Sequence, residues 1–139
     1  MESKLHKLTE VLQTSYVYLD PIPPNKHLNT LIFLHGLSDS GKGVSKLFTG
    51  EQQVVPPTCR VVLPTASKKA VSFANGRVMN CWADVYKTEK APETLEEYWK
   101  KYNQQDLSES AELVLKMVEE EAAKFEDKDP SRVFIGGFS

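Results

Sequence analysis

The sequence has few cysteines, no long apolar run and no excess of charge of one sign. Its two cysteines, Cys59 and Cys81, lack the spacing of zinc ligands or of a disulfide framework, so we interpret them as reduced thiols and expect no metal site. No stretch approaches the roughly 20 apolar residues that span a bilayer, so no integral membrane segment is expected. Seventeen basic and nineteen acidic residues give a net charge of −2, which argues against a nucleic-acid partner.

The N-terminal stretch MESKLHKLTE lacks the apolar core of a secretory signal, and no lipidation motif is present. We therefore expect a cytoplasmic protein. A chain of 139 residues suits one domain. We expect N-terminal strands and a linker in residues 1–30 and a core in residues 31–139.

The stretch LIFLHGLSDSGKG, residues 31–43, allows two functional interpretations. Its first four residues predict a buried strand, and Gly36 to Lys42 fit most of a phosphate-binding loop, G-x-x-x-x-G-K. Two features oppose that interpretation. Gly43 stands where a magnesium-binding Ser or Thr is needed, and Asp39 would repel the phosphates.

The second interpretation starts from His35 and Gly36 at the end of the strand. A turn and a short helix with Val44, Leu47 and Phe48 on one face would follow. Such a strand-loop-helix unit presents backbone N–H groups at the carboxyl end of a strand, where they can stabilise an oxyanion. A plain connection with glycines for tight turning would look the same, so the loop alone does not decide its function.

The remaining elements predict an α/β fold. The runs KLTEVL and SYVYLD indicate edge strands or a hairpin, whereas LIFL, CRVVL and RVFIG indicate buried strands. A crossover helix is predicted from Asp106, with Glu109 in capping-box register. Its core-facing stripe is expected to consist of Ala111, Val114, Leu115, Val118, Ala122 and Phe125. The order β-α-β-α-β favours a mostly parallel sheet with flanking helices.

Residues 85–105 hold a second amphipathic helix, in PETLEEYWKKY, with Thr94 and Glu97 as a capping box. One face carries Leu95, Tyr98, Trp99 and Tyr102. We interpret it as a surface helix packed on the sheet edge, with an acyl groove or a lid as the alternative.

The sequence reaches Gly137-Phe138-Ser139 directly after the strand RVFIG, and these residues fit the first three positions of G-x-S-x-G. In that motif a serine on a strained turn projects its hydroxyl toward an oxyanion loop. A lone Gly-x-Ser is weak evidence, because turns often contain both residues. It gains weight from its place after the histidine-glycine loop and the crossover helix.

Four stretches together, LIFLHGLSDSGKG, VVLPTA, MNCWAD and DPSRVFIGGFS, make the chain resemble the acyl-protein thioesterase and phospholipase/carboxylesterase family of α/β-hydrolases. The likeness runs from Leu31 to Ser139, about the N-terminal three-fifths of the family's domain. It implies an α/β-hydrolase fold that reaches its fifth strand and the nucleophile elbow at the end of this chain.

The resemblance implies that Ser139 is the nucleophile and that the backbone N–H of Leu37 is one oxyanion donor. Trp82 is similar to a family aromatic at the substrate site, although a packing tryptophan is the alternative. No cofactor is implied. The implied substrates are S-acylated proteins, with lysophospholipids or small acyl esters as the alternative, and transient contact with a membrane surface is expected.

The family's acid and histidine follow the nucleophile in the chain, so we expect these 139 residues alone to be inactive. A non-catalytic binding module is the alternative. We expect His6 and His27 in exposed segments and His35 beneath the loop that it orders. Asp39 and Asp84 are interpreted as structural carboxylates. The strand RVFIG is expected to form an exposed apolar edge, which would leave the isolated chain marginally stable.

Overall fold

The computed structural model describes residues 5–139, which form seven strands and three α-helices. In chain order these are β1 (His6–Val11), β2 (Tyr16–Pro21), β3 (Asn29–Leu34), α1 (Gly41–Val44), β4 (Cys59–Leu63), β5 (Lys68–Val71), β6 (Arg77–Asn80), α2 (Leu95–Lys100), α3 (Gln104–Ala122) and β7 (Val133–Gly137). The chain divides into two compact units. One contains the residues up to Thr65 together with Val118–Ser139, and the other is Ala66–Met117.

The first unit is built on a five-stranded sheet in the order β1-β2-β4-β3-β7. β3 runs parallel to both of its neighbours, with Leu31 opposite Val61 of β4 and Phe134 of β7. The predicted parallel strands are thereby confirmed. The N-terminal runs form an antiparallel hairpin, and β2 is also antiparallel to β4, so the complete sheet is mixed.

The core of this unit lies on the face of the sheet that α1 covers. Its buried side chains are Val17, Leu19, Val44, Phe48, Val61 and Leu63. Burial of each such side chain contributes about 1.5–3 kcal/mol. The predicted helical face was partly wrong, because Leu47 is exposed. The α-helix ends at Val44 and continues as a tighter 3₁₀ turn, so α-helical spacing no longer describes one face.

The buried face of α3 differs from the predicted stripe. Val114, Ala122 and the following Phe125 are buried as expected, but Leu115 is exposed and Met117 is buried. The face also includes Glu121, which apolar periodicity could not reveal because a charged side chain is buried only when it has a partner.

That partner is Arg60 of β4. Its Nε donates to Glu121 at 2.8 Å, and its Nη1 contacts Asp20 at the end of β2. The exposed fraction of the side chain is 14% for Arg60 and 7% for Glu121. The guanidinium also lies 4.7 Å from the centre of the Tyr18 ring. Arg60 therefore joins the end of α3 to two strands of the sheet.

The second unit contains the β5–β6 hairpin, α2 and most of α3. The sequence did not lead us to predict the hairpin, although Asn75-Gly76 adopts positive φ at its turn, as this dipeptide often does. α3 begins at Gln104 rather than Asp106. Asn103 caps it by accepting from the Asp106 N–H at 2.9 Å. The Asp106 carboxylate instead accepts from the Asp84 N–H.

The predicted capping box of α2 is confirmed in part: the Thr94 hydroxyl accepts from the Glu97 N–H at 3.1 Å, but the Glu97 carboxylate accepts from the Glu93 N–H rather than from that of Thr94. The aromatic face of α2, which we expected to be packed, is exposed to solvent. Leu95 is 72% exposed, and Tyr98 and Trp99 are also exposed.

β7 lies at one edge of the five-stranded sheet, and its Phe134 and Ile135 are each 53% exposed. The expectation of an exposed apolar edge is confirmed for this part of the chain. Within residues 5–139, no helix is long and apolar enough to cross a membrane.

The Arg60 ion pairs are predicted to dominate the link between α3 and the sheet. Arg60→Ala would leave Glu121 buried without its cation, and we expect the free energy of unfolding to fall by about 3–5 kcal/mol. The double variant Arg60→Met with Glu121→Leu should recover most of that loss, because no charge remains buried. Urea unfolding followed by circular dichroism measures both changes.

Lys100→Ala is the matched control, because it removes an exposed i,i+4 ion pair with Glu96, whose charged atoms lie 3.0 Å apart. We expect a change of less than about 0.5 kcal/mol. Equal losses in the two single variants would show that the Arg60 ion pairs do not hold α3.

Candidate active site

The candidate site lies at the carboxyl ends of two neighbouring parallel strands. Leu34 of β3 is opposite Gly137 of β7, so the chain leaves both strands at the same edge of the sheet. The Phe138 N–H donates to the Leu34 carbonyl at 3.1 Å and extends the pairing by one residue. His35-Gly36 and Ser139 are therefore adjacent, in the position where α/β sheets bind ligands.

Ser139 lies directly against Gly36. A Cβ added to Gly36 would stand 3.1 Å from the Ser139 Cβ, 3.5 Å from its Oγ and 3.1 Å from the Phe138 carbonyl oxygen. A side chain at position 36 would thus crowd the serine. Ser139 itself has φ = 68°, a left-handed conformation that costs a non-glycine residue about 1–3 kcal/mol. Strain of this kind is typical of a serine on a nucleophile elbow.

His35 orders the start of the loop, as predicted. The ring is 2% exposed, and its Nδ1–H donates to the Gly36 carbonyl at 2.7 Å. Burial lowers the pKa of His35, although the Gly36 carbonyl and Asp39 act in the opposite direction. The ring is therefore neutral at neutral pH, and the carbonyl acceptor requires the proton on Nδ1.

The far end of the loop is fixed by side-chain oxygens. The Ser40 N–H donates to the Asp39 carboxylate at 2.8 Å, and the Ser40 hydroxyl caps α1 by accepting from the Gly43 N–H at 3.0 Å. The Gly41 N–H donates to the Thr65 hydroxyl at 2.9 Å. That hydroxyl donates in turn to the Ser15 carbonyl.

These contacts decide against the phosphate-binding interpretation. The amides of Ser40, Gly41 and Gly43, which would have to cradle a phosphate, already donate to oxygens of the protein. Asp39 has the structural role that we predicted for it. Thr65 is a loop residue that we missed, and its position directly after the strand-ending VVLP was the available signal.

Two predicted positions of histidines are wrong. His6 is buried, and its Nε2 is hydrogen-bonded to the Cys59 carbonyl at 2.7 Å, because β1 folds onto the sheet instead of lying in solvent. His27 is half-buried. The centre of its ring lies 4.3 Å from that of the Phe125 ring, with the two planes tilted by 34°, and its Nε2 is hydrogen-bonded to the Thr30 hydroxyl at 2.7 Å. Burial lowers the pKa of His27.

Two candidate residues belong to the second unit. Trp82 is half-buried and its carbonyl accepts a hydrogen bond from the Ser110 hydroxyl. Its role in substrate binding stays a prediction. Asp84 accepts from the N–H and hydroxyl of Ser72, and these hydrogen bonds hold the pKa of Asp84 below its usual value although burial acts to raise it. Asp84 is therefore a structural carboxylate, as expected.

The described residues contain no cluster of three or more His, Cys, Asp or Glu side chains that could hold a metal ion. The chemistry that the site offers is that of its serine hydroxyl and its loop amides. Leu37, whose N–H is the predicted oxyanion donor, follows Gly36 in this loop, and its side chain is partly exposed.

Parallel strands that bring a serine turn against a histidine-glycine loop are typical of the α/β-hydrolase fold. The chain belongs to the phospholipase/carboxylesterase family, whose family model matches residues 22–139. The resemblance inferred from the four sequence stretches is thereby confirmed.

The similar proteins agree with this assignment. Acyl-protein thioesterase 1 of Cryptococcus neoformans is 30% identical over 132 residues, which cover 92% of this chain and 50% of that protein. Acyl-protein thioesterase 1 of Candida albicans is 32% identical over 114 residues, which cover 78% of this chain and 45% of that protein. Lysophospholipase-like protein 1 of the mouse is 28% identical over 120 residues, which cover 84% of this chain and 46% of that protein.

Two solved structures share the fold. The chain superposes on acyl-protein thioesterase 2 of Zea mays with a TM-score of 0.58 and 26% identity, covering 89% of this chain and 46% of that one. It superposes on SOBER1 of Arabidopsis thaliana with a TM-score of 0.63 and 25% identity, covering 80% of this chain and 49% of that one. The chain thus spans about half the length of the relatives that it matches.

The close approach of the loop to β4 is predicted to make Gly41 intolerant of a side chain. In Gly41→Ala the new Cβ would collide with the Leu63 carbonyl and lie 3.2 Å from the Thr65 hydroxyl. We expect the free energy of unfolding to fall by about 1–3 kcal/mol. Chemical denaturation provides the measurement.

Gly50→Ala is the control, because the nearest atom to its added Cβ is the Lys46 carbonyl oxygen at an ordinary 3.7 Å. We expect a change within about 0.5 kcal/mol. If Gly41→Ala were as mild as this control, the loop would not be held against β4 as described.

Proposed function

We propose that this chain supplies the nucleophile-bearing part of a serine hydrolase that cleaves acyl thioesters or esters, with palmitoylated proteins as the leading substrates. The observation that carries the proposal is the contact between Ser139 and Gly36, where an added Cβ would lie 3.5 Å from the serine hydroxyl. Gly36 directly precedes Leu37, whose N–H is the proposed oxyanion donor, so this contact supports a pairing of the serine with that amide. The names of the similar proteins support the thioesterase class.

In the proposed reaction the Ser139 Oγ attacks the acyl carbonyl carbon and loses its proton to a base. The carbonyl oxygen becomes an oxyanion that the Leu37 N–H stabilises. Collapse of this intermediate breaks the bond to sulfur or oxygen, and the leaving group takes up the proton. Water then hydrolyses the acyl-enzyme and releases the fatty acid.

None of the three histidines is placed to be the base. His6 and His27 are hydrogen-bonded within the sheet, and the Nδ1–H of His35 is bonded to the adjacent carbonyl. A serine hydroxyl is a poor nucleophile at neutral pH without such a base. We therefore propose that the base and its acid lie outside these 139 residues, and that this chain alone does not turn over substrate.

The substrate class is proposed on two observations. Of the similar proteins described above, three are named acyl-protein thioesterases and one is named lysophospholipase-like, which leaves small acyl esters as the alternative substrates. The face of α2 that carries Leu95 and Trp99 is exposed, as a surface that meets an acyl chain or a membrane would be. We also propose a cytoplasmic setting, in which the unpaired Cys59 and Cys81 stay reduced.

Ser139→Ala tests the proposed nucleophile. In a polypeptide of the relatives' full length, we expect kcat on a palmitoylated peptide to fall by about 10⁴-fold or more, because no other group can form the acyl-enzyme. Labelling by a fluorophosphonate should also be lost. The exposed Ser108 of α3 gives the control Ser108→Ala, which should label and turn over like the wild type.

Comparison of kcat/KM on a palmitoylated peptide, a lysophospholipid and a short aryl ester would decide between the substrate classes. A folded wild-type polypeptide that neither labels nor hydrolyses any of them would instead support a non-catalytic binding module.

The α2 face yields a separate prediction about membrane contact. We expect Trp99→Ser to lower the affinity for phosphatidylcholine vesicles about 10-fold, because an interfacial tryptophan is lost. Co-sedimentation with the vesicles measures this affinity. Leu115→Ser, which removes an exposed apolar side chain from α3, should have little effect. Equal binding by both variants would exclude α2 as the contact surface.

A further inference from the structure

The peptide unit between Gly36 and Leu37 is held by two hydrogen bonds to its carbonyl oxygen. The His35 Nδ1–H donates to the Gly36 oxygen at 2.7 Å, and the Asp39 N–H donates to the same atom at 3.2 Å. The shorter bond comes from a buried ring at the end of β3. The longer one comes from within the loop, directly after Ser38, which has φ = 69°.

These bonds determine where the amide of the next residue points. The carbonyl and the N–H of a trans peptide unit are coplanar and point in opposite directions. Among the described residues the only cis peptide precedes Pro24, so the Gly36-Leu37 unit is trans. Fixing the Gly36 oxygen therefore also fixes the Leu37 N–H.

The need for such an anchor follows from the serine contact. Position 36 favours glycine because a Cβ would stand 3.1 Å from both the Ser139 Cβ and the Phe138 oxygen and would crowd the serine turn. Glycine is the residue with the greatest backbone freedom, so its own conformation cannot orient the following amide. The two hydrogen bonds to the Gly36 oxygen supply this orientation, and the shorter comes from the His35 ring.

We propose that His35 is a positioning residue, whose imidazole holds the Gly36-Leu37 peptide unit so that the Leu37 N–H faces the acyl oxygen during catalysis. This role rests on the proposed function. In this role His35 acts through the peptide unit, whose carbonyl oxygen its ring binds. His35 is 2% exposed, so the packing around its ring restricts the ring's movement.

Three variants separate positioning from packing in a polypeptide of the relatives' full length. In His35→Asn the amide nitrogen occupies the place of Nδ1 and still reaches the Gly36 oxygen, whereas in His35→Gln it lies one methylene further out. His35→Ala has no donor. We expect kcat to fall about 10- to 100-fold for the Gln and Ala variants, because a misplaced oxyanion donor loses much of its effect.

The KM of these two variants should stay within about twofold of the wild type, because the bond acts in the transition state. His35→Asn should keep kcat within about threefold. If kcat per folded molecule, with folding checked by circular dichroism, were equal in all three variants, the positioning role would be overturned. A rise in KM with unchanged kcat would overturn it as well.

A measurement that does not need activity separates this inference from the proposed function. In the 139-residue chain labelled with ¹⁵N-histidine, long-range ¹H–¹⁵N correlation should show His35 at neutral pH with its proton on Nδ1. A proton on Nε2 alone would overturn the proposal, because Nδ1 could not then donate to the Gly36 oxygen.

Hydrogen exchange gives a second readout in the same chain. Exchange of the Asp39 amide, which donates to the Gly36 oxygen, should be faster in His35→Gln than in His35→Asn, because the loop opens more readily. Equal exchange rates would contradict the anchor. The two proposals can fail separately. If the wild-type polypeptide were inactive but His35 carried its proton on Nδ1 and the exchange rates differed as expected, the proposed function would be refuted. The hydrogen bond from His35 to the Gly36 oxygen would still hold the peptide unit.

Discussion

The parallel pairing of β3 with β7 is the constraint on which the candidate site depends. Leu34 and Gly137 are opposite each other, so a register shift of one residue would separate the serine from the histidine-glycine loop. Because both strands run in the same direction, their exits lie at one edge of the sheet. The register of the two strands thus determines the geometry of the site, which is formed by two separate loops.

The loop that faces the serine contains flexible glycines, but hydrogen bonds hold it in one conformation. Its glycines allow close approach to β4 and to the serine turn, and side-chain oxygens from Ser40, Asp39 and Thr65 then remove the mobility that glycines bring. Satisfied amides also leave the loop poorly suited to bind phosphate. The same thirteen residues that resemble a nucleotide loop in sequence therefore fold into a different kind of connection.

Sequence reasoning succeeded where a short pattern determines local structure. The apolar runs became strands, Thr94 caps α2, and the histidine-glycine loop lies beside Gly137-Phe138-Ser139. It failed where partners are distant in sequence. Nothing near Glu121 shows that Arg60 will bury it, and nothing near His6 points to the carbonyl of Cys59. The cap of α3 was misassigned for a related reason, because Asp106 has the residue type of a cap but its carboxylate binds the amide of Asp84.

The distance along the chain between the two strands that hold the site has a consequence for folding. Thr30 and Val133 pair with each other although about 100 residues separate them, and such a long loop closes slowly and late. The hairpin and β4 can associate through the nearer β2 beforehand. A partly folded chain can therefore possess most of its sheet while its serine is still remote from the loop, and the juxtaposition of the two is a signature of completed folding.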